Sequence, residues 1–380
     1  MPDPAINRYN WREADHSIWS FQNVNKILPV HMIAKSSTPA ILKDDHISFE
    51  AFKVETLNRE SLNISEYLKQ TETDGIVVLR DNKIVFEHYD RTNSRESVHA
   101  TFSITKSVTG LLSGILVSKG LLDVDANVAS YVPEVQDIPY EHVKIRQLLD
   151  MRAGIDYDET QPEFRKGIGK ATLKLGEETT DVHTFIEGLR APRSHSIDDP
   201  DVPFHYLSMN ADLMGWVLER ASGKKFADLL SELVWQPLGA DSDAYIATDP
   251  AGNARTAGGL CATVRDLARL GNAMIQPNSI IPETWTEDMI ANGSENAFAV
   301  GPEKELFEGH WKTPAYRSFW TADKDRRTLL ASGLYGQMLL VDRRNGIVLA
   351  KTCSQPERED LGKFHLDLRA FEQIVKILAH

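Results

Sequence analysis

The chain has 380 residues, 42% hydrophobic, 26% charged and 8% aromatic, which is the composition of a folded protein with room for two domains or one large one. Collagen-like, disordered and small disulfide-scaffold classes are thereby excluded. The 42 lysines and arginines against 55 acidic residues give a formal charge of −13 with no long basic run, so a nucleic-acid partner, which needs a cationic face, is not expected.

The two cysteines, Cys261 and Cys353, lie far apart and form neither a metal-ligand spacing nor a disulfide framework. Met1–Ala5 has no positive segment followed by an apolar core. No run approaches about 18 apolar residues. A signal peptide and a membrane span are therefore not expected, and the default compartment is cytoplasmic.

Residues 1–70 are of mixed polarity with aromatic anchors at Trp11, Trp19 and Phe21 and read as an irregular wrap. Ile76–Leu79 and Ile84–Tyr89 flank Asp81-Asn82-Lys83 and predict a β-hairpin. From Ser97 to Ser118 the only formal charge is Lys106. Within that stretch Ile104, Val108, Leu111, Leu112, Ile115 and Leu116 follow helical spacing, opposite Ser107, Gly110, Ser113 and Gly114. This predicts a helix buried on nearly all sides, with a small-residue face against which another element packs closely. Further helices are expected over Asn210–Arg220, stopping at Ser222-Gly223, over Phe226–Trp235 and over Thr263–Met274. Gly167–Leu175 and Ala191–Pro203 read as loops. Gln337–Val341 and Ile347–Ala350 flank Asn345-Gly346 as a second hairpin, and Phe371, Ile374, Val375 and Leu378 mark a closing helix. The expected fold is α/β plus all-α: an antiparallel sheet flanked by helices, with a mainly helical insertion. Residues 1–100 and 253–380 would form the sheet domain, and 101–252 the helical domain carrying Ser103 and Tyr206, with the active site between them.

Ser103-Ile104-Thr105-Lys106 opens the uncharged helix. Residues three apart share a helix face, so hydroxyl and amine are held one turn from each other. A serine needs a neighbouring base to act as a nucleophile, and a helix N-terminus offers N–H groups to a developing oxyanion. Ser-x-x-Lys by itself is a weak signal: Ser222-Gly223-Lys224-Lys225 matches it too, in a charged turn that needs no function. The low charge around Lys106 is what separates the first copy, since an unpaired lysine there is costly.

A Ser-x-x-Lys opening an apolar helix resembles the active-site serine of the β-lactamase and penicillin-binding-protein superfamily. Its second element, Tyr-x-Asn before a helix ending in Ser-Gly, is matched by Tyr206-Leu207-Ser208 and Ser222-Gly223, with Ser208 where Asn is usual. Its third, Lys-Thr-Gly, is matched by Ala331-Ser332-Gly333, which keeps the glycine and loses the lysine. Ile145–Ile155 and Ala257–Ala268 resemble the family's post-serine helix and its Gly-Gly-helix segment. Trp11-Arg12 through Val24, with the Tyr206 region, looks closest to the carboxylesterase-like branch that contains 6-aminohexanoate-dimer hydrolase.

The resemblance implies a serine hydrolase of small ester or amide bonds working through an acyl-enzyme. Ser103 would be the acylated nucleophile. Lys106 would supply the local charge that keeps Tyr206, or itself, competent as a base. Tyr206 would pass a proton to the leaving group and then activate water. The N–H groups of Ser103 and Leu334 would form the oxyanion hole, with Gly333 letting substrate approach. Ser208, Ala331, Ser332, Gly333 and Tyr157 are candidates for substrate contact. Ser208 reads equally well as a cap for the helix from Asn210. No metal, nucleotide or other cofactor is expected, and a homodimer is expected from the branch resemblance alone.

Other readings are weaker. There is no Gly-x-Ser-x-Gly elbow, the twelve histidines show no ligand spacing, and Gly167-Ile168-Gly169 lacks the third dinucleotide glycine. Asp158-Glu159 reads as a solvated loop pair. A β-lactamase or D-amino-acid peptidase on the same fold, or a catalytically silent binding protein, stand as alternatives. Against β-lactams, Ala331 offers no cation to a substrate carboxylate, unless an arginine such as Arg317 or Arg343 replaces it.

Overall fold

A computed structural model of the protein describes residues 6–161, 163–164, 180–196 and 202–379. Gly167–Leu175, including Gly167-Ile168-Gly169, lies outside the described residues, as does the centre of Ala191–Pro203.

Eight strands form the larger sheet, in the order Pro314–Arg317, Trp320–Asp323, Thr328–Gly333, Gln337–Asp342, Ile347–Cys353, Thr73–Arg80, Lys83–Tyr89 and Lys43–Asp44. All neighbours are antiparallel except the last pair. Both expected hairpins are present. The first turns through Asp81 and Asn82 at φ of 50° and 63°, the conformation of a tight hairpin turn. Ile347–Cys353 pairs with Thr73–Arg80 and joins the two ends of the chain in one sheet. These central strands are buried on both faces, which is why they read as unbroken apolar runs. Alternation along Ile347–Cys353 shows the two covers. Val348 meets the helix Val264–Ala273 at Gly271, whereas Lys351 points to the closing helix Leu361–Leu378 and pairs with Asp367.

A second, four-stranded sheet was not anticipated. It runs Val30–Ile33, Ala244–Ala247, Leu260–Thr263, Val98–Ala100. Its strands are three or four residues long, too short to show a period. It also corrects the reading of residues 1–70 as irregular: these contribute helices at Ala14–Ser20 and Ile64–Gln70 and an edge strand at Val30–Ile33.

The helix Ile104–Ser118 is buried from Ile104 through Leu116. Its small face is a contact face: a Cβ on Gly110 would lie 2.0 Å from the Ser318 carbonyl, and one on Gly114 2.4 Å from the Trp285 ring. Ser107 Oγ donates to the Phe319 carbonyl at 2.7 Å, and Trp285 Nε1 to the Gly110 carbonyl at 3.1 Å. Against it packs the helix Ser208–Ser222, which Gly223 ends at φ of 71°. Phe226–Trp235 is helical as expected, its last turn, Ser231–Trp235, being π. Among the described residues no helix is long and apolar enough to cross a membrane.

Candidate active site

The strand Val98–Ala100 delivers the chain to Phe102, which sits at φ of 46°. For an aromatic residue this left-handed conformation costs about 1–3 kcal/mol and persists only where its surroundings hold it. Here three rings hold it, with centroids at 4.9 Å for Phe21, 5.0 Å for Tyr335 and 6.1 Å for Trp11. The turn sets Ser103 at the N-terminus of the helix Ile104–Ser118.

One turn on, Lys106 is only 2% exposed. Its Nζ lies 3.0 Å from Ser103 Oγ and donates to the Ala257 carbonyl at 2.6 Å. It makes no ion pair among the described residues, so its partners are neutral. Tyr206 lies across it, with the ring centroid 4.9 Å from Nζ. The Tyr206 hydroxyl has no hydrogen-bond partner among the described residues, and the residue lines the cavities on both flanks of Ser103. The structure thus brings Ser103, Lys106 and Tyr206 together from the start of one helix and the segment before another.

Ala257 is itself held in place. Asp212, buried in the helix Ser208–Ser222, accepts from Ala257 N–H at 2.9 Å and from Arg255 at 2.9 Å. Thr256 Oγ1 donates to the Ala211 carbonyl at 2.7 Å. A chain of contacts therefore runs from Asp212 through Ala257 to the Lys106 amine. The sequence reading missed Asp212, whose one signal is an acidic residue on an otherwise apolar helix stripe.

Gly333 ends the strand Thr328–Gly333, and a Cβ there would lie 2.5 Å from the Thr101 carbonyl and 3.1 Å from Ser103 N. The glycine brings the strand end, and Leu334 after it, against the turn that carries Ser103. Ala331 is buried, while Ser332 is exposed to a small cavity of about 60 Å³ shared with Ser103, Tyr206, Glu303 and Tyr316. On the other flank of Ser103 lies a larger cavity of about 310 Å³, lined by Trp11, Phe102, Lys106, Tyr206, Ser208 and Leu334, among others.

Four expectations need correction. Tyr157 is not in either cavity: its ring packs with Phe164 and Phe185 at 6.0 and 6.1 Å and borders a separate open groove. Ser208 is the first helical residue and caps nothing. The helix start is satisfied instead by Glu159, whose Oε1 accepts from Met209 N–H at 2.9 Å, so Glu159 lines the cavity rather than standing free in solvent. Arg317 and Arg343 are also far from the role suggested for them. Arg317 is clamped by Asp150 at 2.7 Å and Asp288 at 2.9 Å, and Arg343 pairs with Glu287. The second Ser-x-x-Lys is a decoy: Ser222 Oγ bonds back to the Leu218 carbonyl at 2.7 Å and Lys225 reaches for Glu219.

The Beta-lactamase family profile matches residues 62–372. The chain belongs to that family. Over 368 residues, 93% of this chain and 89% of the relative, it is 29% identical to 6-aminohexanoate-dimer hydrolase of Paenarthrobacter ureafaciens. It is 31% identical to Esterase EstB of Burkholderia gladioli over 39% of this chain and 38% of that protein. A solved Bacillus anthracis structure provisionally described as a 6-aminohexanoate-dimer hydrolase superposes with a TM-score of 0.87 at 20% identity, over 100% of this chain and 98% of its own. The Beta-lactamase family chain is a hydrolase, on the α/β fold expected of it.

Proposed function

We propose that the chain is a serine hydrolase of small esters and linear amides, working through an acyl-enzyme on Ser103. The carrying observation is the 3.0 Å contact between Lys106 Nζ and Ser103 Oγ, with Lys106 anchored among the described residues by neutral groups. That distance suits proton transfer from hydroxyl to amine. Lys106 takes the Ser103 proton as Oγ attacks the substrate carbonyl. The N–H groups of Ser103 and Leu334, close together because Gly333 has no side chain, receive the oxyanion. Tyr206, whose ring lies against Lys106 and whose hydroxyl has no partner among the described residues, hands a proton to the leaving group. The acyl-enzyme then yields to water activated by the same pair. The names of the relatives, one a 6-aminohexanoate-dimer hydrolase and one an esterase, favour esters and linear amides as substrates.

Ala331 argues against efficient β-lactam turnover. It is buried and apolar at the position where a lysine would meet the carboxylate beside the ring. The decisive assay is a steady-state panel of p-nitrophenyl butyrate, a linear amide and a chromogenic cephalosporin, each with wild type and Ser103→Ala. Ester turnover that Ser103→Ala abolishes is expected. The kcat/KM for the cephalosporin is expected to be lower by about 10²-fold, the equivalent of about 2.7 kcal/mol of transition-state binding. Equal or faster cephalosporin turnover would overturn the ranking, and an active Ser103→Ala enzyme would overturn the mechanism.

A further inference from the structure

The larger cavity beside Ser103 carries a charge pattern that the proposed chemistry does not use. In a chain of net charge −13, its wall holds five cationic side chains, Arg8, Arg12, Lys106, Arg255 and Arg358, and two acidic ones, Glu159 and Glu359. Lys106 is engaged with Ser103 and Ala257, and Arg255 with Asp212. Glu159 is engaged with Met209 N–H.

Arg12 has no such engagement. It makes no hydrogen bond or ion pair among the described residues, and its Nε is a buried donor without an acceptor. Two rings hold its guanidinium instead, Trp11 at 4.6 Å and Phe102 at 5.5 Å from Cζ. Phe102 is the residue next to the nucleophile, so the guanidinium is fixed within reach of a bound substrate. Burial, with Arg358 and Arg255 nearby, pushes its pKa down to about 10, against the opposing influence of Tyr335. The group stays charged at neutral pH in surroundings that disfavour the charge. A guanidinium with unspent donors in such a place is the usual arrangement for a bidentate oxyanion ligand. Arg358, an exposed residue of the same cavity wall with no ion pair among the described residues, adds a second positive charge on the approach.

We propose that Arg12, seconded by Arg358, binds a carboxylate carried by the substrate, so that the preferred substrates are esters or amides bearing a free carboxylate. The position differs from that of Ala331, which lies on the opposite flank of Ser103. The anchor lost at Ala331 is thus regained from the N-terminal segment, on the other side of the cleft. This inference rests on the Ser103 reading for its catalytic consequence but not for the anion site itself.

The test compares matched pairs that place the carboxylate on either side of the scissile bond. One pair is 4-(butyryloxy)benzoate and its methyl ester. The other is the p-nitrophenyl monoester of adipic acid and p-nitrophenyl hexanoate. In at least one pair the anionic member is expected to have the higher kcat/KM, and Arg12→Gln is expected to lower the anionic-to-neutral ratio about tenfold or more. Arg12→Lys keeps the charge without the fork and should retain part of the ratio. In the wild type, added salt should raise KM for the anionic ester and leave the neutral one nearly unchanged, a readout that does not depend on the variants folding. Adipate binding to Ser103→Ala by calorimetry, and its loss when Arg12→Gln is added, reads the anion site without turnover. If adipate binds but no ester is cleaved, the hydrolase reading fails and the anion site stands. If esters are cleaved with no anionic preference, no salt effect and no adipate binding, the anion site is overturned and the hydrolase reading stands.

Discussion

At the scale of single residues, the account makes Ser103, Lys106 and Tyr206 one acid–base unit. Lys106→Ala and Tyr206→Phe are each expected to lower kcat by about 10²-fold or more with the fold intact. In the double variant the losses should fall well short of multiplying, because both groups serve one proton path. Steady-state kinetics with circular dichroism on the same samples checks this, and clean additivity would count against a shared relay. Gly333→Ala is a sharper probe of the oxyanion pocket. Its new Cβ would meet the Thr101 carbonyl at 2.5 Å and Ser103 N at 3.1 Å, so the strand end must retreat from Ser103. The expected outcome is a fall in kcat of at least about tenfold, the scale set by loss of an oxyanion donor. An unchanged kcat would show that the strand end plays no part.

Glu303, in the small cavity, gives a pH signature. Burial, helped by repulsion from Glu359 and opposed by a backbone hydrogen bond, raises its carboxyl to about 7, and its Oε2 is buried without a hydrogen-bond partner among the described residues. Its unfolded value is near 4.3. A raised carboxyl pKa means that the fold binds the proton more tightly than the unfolded chain. Stability from this group is therefore full below about 4.3 and is lost as pH rises toward 7. Glu303→Gln should accordingly gain in Tm relative to wild type between pH 5 and pH 8, measured by thermal scans at both pH values. A Tm difference that is flat with pH would contradict the assignment.

At the scale of elements, the helix Ile104–Ser118 was legible because its pattern is extreme: one charge, an apolar stripe and four small residues opposite it. The small residues mean what they suggested, close approach, and Gly110 is the tightest point. Gly110→Ala would place a Cβ 2.0 Å from the Ser318 carbonyl, and backbone cannot yield as a side-chain tip can. A cost of about 1–3 kcal/mol is expected, read from denaturant midpoints. The helix Ser208–Ser222 was legible in its stripe and its stop at Gly223, but not in its start, because the group that satisfies it, Glu159, comes from a distant loop. Its buried Asp212 ties Arg255 and Ala257 in place. Asp212→Ala removes one partner of a buried pair and should cost about 3–5 kcal/mol in the same unfolding experiment. The second sheet was illegible for a simple reason. Strands of three or four residues assembled from four distant segments carry no period, and tertiary packing fixes their place: one side meets Trp11, Phe21 and Phe102, and Ile33, Ala244, Ile246, Leu260 and Ala262 join the main core.

At the scale of the whole molecule, the meeting of Ser103, Lys106 and Tyr206, the trio proposed to react, was readable because its members obey local rules: three residues apart on a helix, and a tyrosine just before another helix. The cavity around it was not, because Arg12, Glu159, Arg255 and Arg358 meet only after folding. An acidic chain therefore conceals a cationic cleft that net charge could not reveal. The central claim is that Ser103 becomes covalently acylated. The most direct measurement is peptide mass mapping after brief incubation with a serine-reactive fluorophosphonate, with p-nitrophenyl butyrate as competitor. A single adduct on the peptide bearing Ser103, reduced by the competitor and absent in Lys106→Ala, is the result predicted. Labelling at Ser208, Ser222 or Ser332 in its place, or no adduct in an enzyme that still cleaves the ester, would contradict the account.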